Sequence, residues 1–224
     1  VYKRQVLEAL YSTPAGKNTI VIVLADHGDG MGSHRMVTKQ VSFYEEMTNV
    51  PFIIAGPGIH PRQKPVEDLL TQPTIDLLPT LCELAGIPVP SSKPGISLAP
   101  FLKGEKQKRQ HPYAASEWHS EYEVTVSPGR MIRSPRYKYT HYLEGNGEEL
   151  YDMLKDKGER RNLAHDPKYS KILAEHRALL DDYIRRTQDD YRSLKVEADK
   201  RWRSHAPGYP NHEGPCARDI INRK

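Results

Sequence analysis

The stretch "TIVIVLADHGDGMGSHRMVTK", residues 19–39, opens on a β-branched apolar run and passes straight into Asp26, His27 and a glycine-rich turn. A run apolar on both faces suits a central strand of a parallel sheet covered by helices. In open α/β sheets ligands lie just beyond the carboxyl ends of strands, so Asp26 and His27 stand where chemistry is usually done. A carboxylate beside a neutral imidazole is a donor pair for a divalent cation. The plainer alternative is an Asp that caps a helix and a His that packs by hydrogen bonding, and spacing alone leaves the two evenly open. Further on, His34 is a candidate proton donor or substrate contact, against simple loop packing. Lys39 is a candidate clamp for a tetrahedral oxyanion, against an ordinary solvated lysine. Within this stretch no Asp-Asp pair and no second His cluster of ligand spacing accompanies them.

Working outward, "VYKRQVLEAL" places Val6, Leu7 and Leu10 on one helical face, and "VPFIIAGPG" at 50–58 repeats the pattern of a buried strand ending in a Gly-Pro turn. The two strands with a helical stretch between them predict a β-α-β unit. "TIDLLPTLCELAG" at 74–86 predicts a short helix with Asp76 as N-cap, Pro79 in the first turn and Gly86 as the stop. Residues 88–112, rich in Pro, Ser, Gly and Lys, read as a surface linker. Beyond it "YAASEWH", "YEVTVS", "GRMIRSP" and "YKYTHYL" predict a small antiparallel sheet. Asp166 and Pro167 then open a helix with Tyr169, Ile172, Leu173, Leu179, Leu180, Tyr183 and Ile184 on one face, able to cover one side of that sheet. The last 21 residues, 204–224, have no period and read as an irregular tail. The expected fold class is α/β, with an α/β part over 1–105 and a small antiparallel-sheet subdomain with a C-terminal helix over 106–224.

The 224 residues carry 33 basic and 29 acidic side chains, a formal net charge of +4. The basic cluster "KGEKQKRQ" at 103–110 has no interleaved aromatics, which argues for a surface loop and against nucleic acid. No run approaches a membrane span and no signal peptide opens the chain, so no membrane partner is expected. Residue 1 is Val, in what reads as the middle of an uncapped helix, and a fragment or processed chain is expected. Cys82 and Cys216 form no Cys-x-x-Cys pair, and Cys82 reads as a buried thiol.

The segment 19–59, with its Asp-His-Gly, Gly-x-His, Lys, Tyr-Glu-Glu, Val-Pro and Gly-Pro-Gly landmarks, resembles the sulfatase family of the alkaline-phosphatase-like superfamily. "TIDLLPTLCELAGIPVP", "GISLAPFLKGE", "RMIRSPRYKY" and "ELYDMLKDKGERRNLAHDPKY" are similar to later landmarks in the same order, extending the likeness over roughly residues 1–185. The resemblance implies the C-terminal part of an alkaline-phosphatase-like α/β/α domain. It implies that Asp26 and His27 are two ligands of one divalent metal ion, usually calcium, that Lys39 contacts the sulfate, and that His34 lies near the substrate. The implied partner is a sulfated small molecule or glycan, and the implied compartment is periplasmic, secreted or lysosomal.

The family's Cys/Ser-x-Pro/Ala-x-Arg motif, source of its formylglycine nucleophile, does not occur, and neither does the N-terminal acid pair of its metal shell. Asn49 stands where an arginine is common. The expectation is the C-terminal half of a sulfatase, with formylglycine in a missing N-terminal half. The alternatives are a phosphonate monoester hydrolase or phosphodiesterase of the same superfamily, and a noncatalytic fragment that binds a sulfated glycan.

Overall fold

The computed structural model describes residues 2–36, 42–67, 69–91, 94–106, 110–119, 128–143 and 147–194. The chain divides into two compact units, Val1–Asp26 with Val50–Ala114, and His27–Asn49 with Ala115–Lys224. The division therefore differs from a single cut near residue 105, because the segment 27–49 groups with the second unit.

In the first unit, α1 (Tyr2–Tyr11) and a 3-10 turn (Pro14–Asn18) lead into β1 (Val21–Leu24). β1 pairs with β2 (Phe52–Ala55), in the register Val21 to Ala55 and Leu24 to Phe52, and the pairing is antiparallel. This corrects the expected parallel β-α-β unit. The chain leaves β1 at Leu24 and re-enters β2 beside the same residue, so the strands must run in opposite senses, whereas a parallel pair needs a crossover to the far end. Val6, expected on a covered face of α1, is exposed.

Helix α3 (Pro73–Leu84) starts earlier than expected because Pro73, with its fixed φ and no N–H, takes the first helical position. Gln72 is the N-cap residue, and Asp76 lies inside the first turn, its Oδ2 accepting from Gln72 N at 2.8 Å. Pro79 is interior and leaves Ile75 O without its usual N–H partner. Gly95 comes so close there that a Cβ would lie 2.1 Å from that oxygen. Gly86 ends the helix as expected, at φ 69°. The stretch after residue 94 is not a surface linker. Asp76 Oδ1 accepts from Ile96 N at 2.8 Å, Thr80 Oγ1 accepts from Leu98 N at 2.9 Å, and Leu98 and Ala99 are buried at the start of α4 (Ala99–Leu102). Cys82 is half-buried, while Cys216 and the tail lie outside the described residues.

The second unit is built on a four-stranded sheet in the order β3 (Ala114–Trp118), β4 (Gly129–Arg133), β5 (Tyr137–Tyr142), β6 (Gly147–Asp152). The pairs β4–β5 and β5–β6 are antiparallel. "YEVTVS" lies outside the described residues, and β6 is a strand that the reading of short segments had not singled out. As expected, α5 (Ser170–Thr187) covers one face, entered through a turn capped by Asp166, whose side chain accepts from Lys168 N. That face carries Arg130, paired with Asp189, and Glu148, paired with Arg177. The opposite face carries Met131, Tyr142 and Tyr151, and segment 42–49 covers it. Phe43 packs with Met131 and Tyr142, while Tyr44 and Met47 cluster with Met36, Tyr151 and Met153. Burial on both faces explains why β4 is buried at Gly129–Ile132 without alternation.

Candidate functional site

Asp26 and His27 follow β1 after a single residue, and both are exposed. The His27 ring sets its own tautomer. Nδ1 lies 2.7 Å from Gly28 O, and a carbonyl can only accept, so Nδ1 carries a proton and Nε2 is the nitrogen that can act as a ligand. Metal-ligating histidines are oriented by the same kind of second hydrogen bond. Gly28 is fixed in turn. Its N donates to Met47 O at 2.9 Å, and a Cβ would stand 1.7 Å from Glu46 O, so no other residue fits.

The loop beyond is held in a costly conformation. Met31 (φ 45°), His34 (φ 50°) and Arg35 (φ 62°) are left-handed without being glycine, at about 1–2 kcal/mol each. Strain of this kind persists where surrounding contacts over-determine it, and it concentrates at functional sites. Here Gly32 N donates to Met36 O, Ser33 N to Gly30 O and Met36 N to Ser33 O, at 2.7, 2.7 and 2.8 Å. The His34 ring stacks flat on Tyr44, centroids 3.7 Å apart, with Nε2 3.8 Å from Glu46 Oε2. Its side chain is only 9% exposed, and burial pushes its pKa down against the opposing pull of Glu46. This packing ties His34 to Tyr44 and so to segment 42–49.

Lys39 lies outside the described residues. Among the described residues no group of three or more His, Cys, Asp and Glu side chains could hold a metal ion, so Asp26 and His27 offer at most two donors. In kind they fit a divalent cation, as a carboxylate and an imidazole whose Nδ1 is already engaged.

Sequence reasoning missed a charged cluster beneath the loop. Lys138, 1% exposed, lies 2.7 Å from Glu45 Oε1 and 3.0 Å from Glu159 Oε1, and its Nζ donates to Phe43 O at 2.9 Å. Glu159 Oε2 accepts from Glu45 N at 2.6 Å, and burial raises the Glu159 carboxyl above its usual range, with Lys138 opposing. The Tyr-Glu-Glu landmark contains Glu45, but nothing local marks Glu159, 114 residues away, as its partner, or Lys138, 95 residues from Phe43, as the donor to Phe43 O. Asn49 donates from Nδ2 to Glu45 Oε2 at 3.1 Å, an uncharged donor on the same carboxylate.

Residues 32–186 match the family described as N-sulphoglucosamine sulphohydrolase, C-terminal. A Delta 4,5-hexuronate-2-O-sulfatase of Bacteroides thetaiotaomicron is 77% identical over 219 residues, which are 98% of this chain and 46% of that protein. The solved structure of a 2-O GAG sulfatase superposes with a TM-score of 0.87 at 76% identity, over 97% of this chain and 47% of that one. The phosphonate monoester hydrolase of Agrobacterium radiobacter superposes with a TM-score of 0.66 at 26% identity, over 80% of this chain and 37% of that one. The chain thus spans about half the length of the first two of these relatives and 37% of the third.

Proposed function

Because the chain belongs to the sulfatase family of the alkaline-phosphatase-like superfamily, we propose that it forms the C-terminal part of a sulfuric ester hydrolase acting on a 2-O-sulfated unsaturated hexuronate. The observation that carries this reading is the 77% identity to a Delta 4,5-hexuronate-2-O-sulfatase across nearly the whole chain. In it Asp26 and His27 would hold one calcium ion, and further ligands and a formylglycine nucleophile would come from the rest of a complete enzyme. The bound cation would neutralise charge on the sulfuryl oxygens. Lys39 would hold those oxygens as they gain charge, and His34, stacked on Tyr44, would keep the loop between them in shape.

The test uses the complete protein and a disaccharide bearing an unsaturated 2-O-sulfated hexuronate, with free sulfate measured by ion chromatography. Sulfate release that stops with chelator and returns with calcium is the expected result. Release of a phosphonate ester's alcohol without sulfate release would favour the second reading, which rests on the likeness to a phosphonate monoester hydrolase.

A further inference from the structure

The charged cluster beneath segment 42–49 has no part in that chemistry, yet its geometry bears on it. Arg133 and Lys138 are direct cross-strand partners in β4–β5 and so emerge on the same sheet face. Like charges directly opposite one another repel, the more so when buried. Two carboxylates from distant segments make the pair tenable. Glu45 Oε1 lies 2.7 Å from Lys138 Nζ and 3.8 Å from Arg133 Nε, and Glu159 Oε1 lies 3.0 Å from Lys138 Nζ. Glu159 adopts a left-handed backbone, φ 48°, to place its side chain there.

The same groups also bind backbone. Lys138 Nζ takes Phe43 O, and Glu159 Oε2 takes Glu45 N, so both sides of the entry to α2 (Glu45–Thr48) are held. A four-residue helix has no stability of its own. At its far end Met47 O accepts from Gly28 N, the amide next to His27.

We propose that Lys138 and Glu159 are positioning residues for the candidate metal site: they fix α2, and α2 through Met47 and Gly28 fixes the direction in which His27 is presented. The inference rests on His27 being a cation ligand. It is distinct from a stabilising role in general, because the route from Lys138 to His27 runs through two named backbone bonds.

The complete protein is titrated with calcium chloride by calorimetry, as wild type, Lys138→Met and Glu159→Gln. Arg177→Met, which breaks an ion pair on the opposite face of the sheet, serves as the control. The two positioning variants should lose affinity about tenfold to a hundredfold, as partners behind a ligand typically do, while the control keeps wild-type affinity. If Lys138→Met does not fold, Glu159→Gln and Glu45→Gln, which preserve volume, carry the measurement. Wild-type calcium affinity in the folded variants overturns the proposal. If the wild type itself binds no calcium, the metal reading fails separately, and amide exchange at Gly28 decides the anchoring. Faster exchange in Glu159→Gln than in the control supports it, and equal exchange overturns it.

Discussion

Gly28 shows how one missing methyl group can hold a site together. An Ala there would put its Cβ 1.7 Å from Glu46 O, so either the loop or α2 has to move. Gly28→Ala should destabilise the protein by about 1–3 kcal/mol, as overpacking usually does, and should speed proteolysis between residues 28 and 49. Urea denaturation and limited digestion measure the two effects. His176 makes a different prediction. It is buried, its Nδ1–H donates to Ile172 O at 2.8 Å, and its Nε2 lies 2.8 Å from Ser134 Oγ. Burial lowers its pKa from 6.5. Since the folded value is depressed, its contribution to stability is present above pH 6.5 and is lost as pH falls through the folded value. The urea midpoint of the complete protein should drop between pH 7.5 and 5.5, and His176→Gln should show a smaller drop over that window. An equal drop would remove His176 from the acid response. His34, lowered for the same reason, keeps the residual slope above zero.

The elements were legible in unequal degree. The composition of "TIVIVLA" marks β1, and Gly86 and Asp166 punctuate α3 and α5 where expected, because those signals are local. The partner of β1 was legible, but its direction was not, since direction depends on where residues 25–51 travel. The start of α3 was misplaced because an Asp inside the first turn can cap by reaching backwards as well as forwards. That Asp76 now makes the prediction for this scale. It is fully buried and accepts from Gln72 N and Ile96 N, and its Oδ1 lies 2.7 Å from His111 Nε2. Asp76→Ala strands those donors, and at about 1–3 kcal/mol for each unsatisfied group the loss should exceed about 3 kcal/mol. Asp76→Asn, which keeps an acceptor, should lose less. Denaturant midpoints of the two variants give the comparison, and equal losses would assign the effect to charge alone.

Over the whole molecule, the first unit carries, among the described residues, a sheet of only two strands, β1 and β2, with Leu24 and Ile53 on it exposed, and such open strand edges invite association. The 224-residue chain by itself should therefore associate at micromolar concentration and turn over no aryl sulfate, checked by light scattering and by release of the phenol. Monodisperse chain with robust turnover would overturn the proposed division of the active site. The place of Asp26 and His27 just after a strand was legible, because it is contiguous with the apolar run of β1. Lys138 and Glu159 were not, because a charge in a strand and a charge in a turn read as solvated faces until the fold buries them together.

The 114 residues between Glu45 and Glu159 are also an interval of time. At ordinary rates of synthesis Glu45 leaves the ribosome about 6–23 s before its partner does. Through that interval the nascent loop has its glycines and its histidines but not the acid that holds the Glu45 amide. A chain released before Glu159 can make β1 through β6 and still have no settled loop. The order of translation thus makes the loop that follows His27 one of the later features to set.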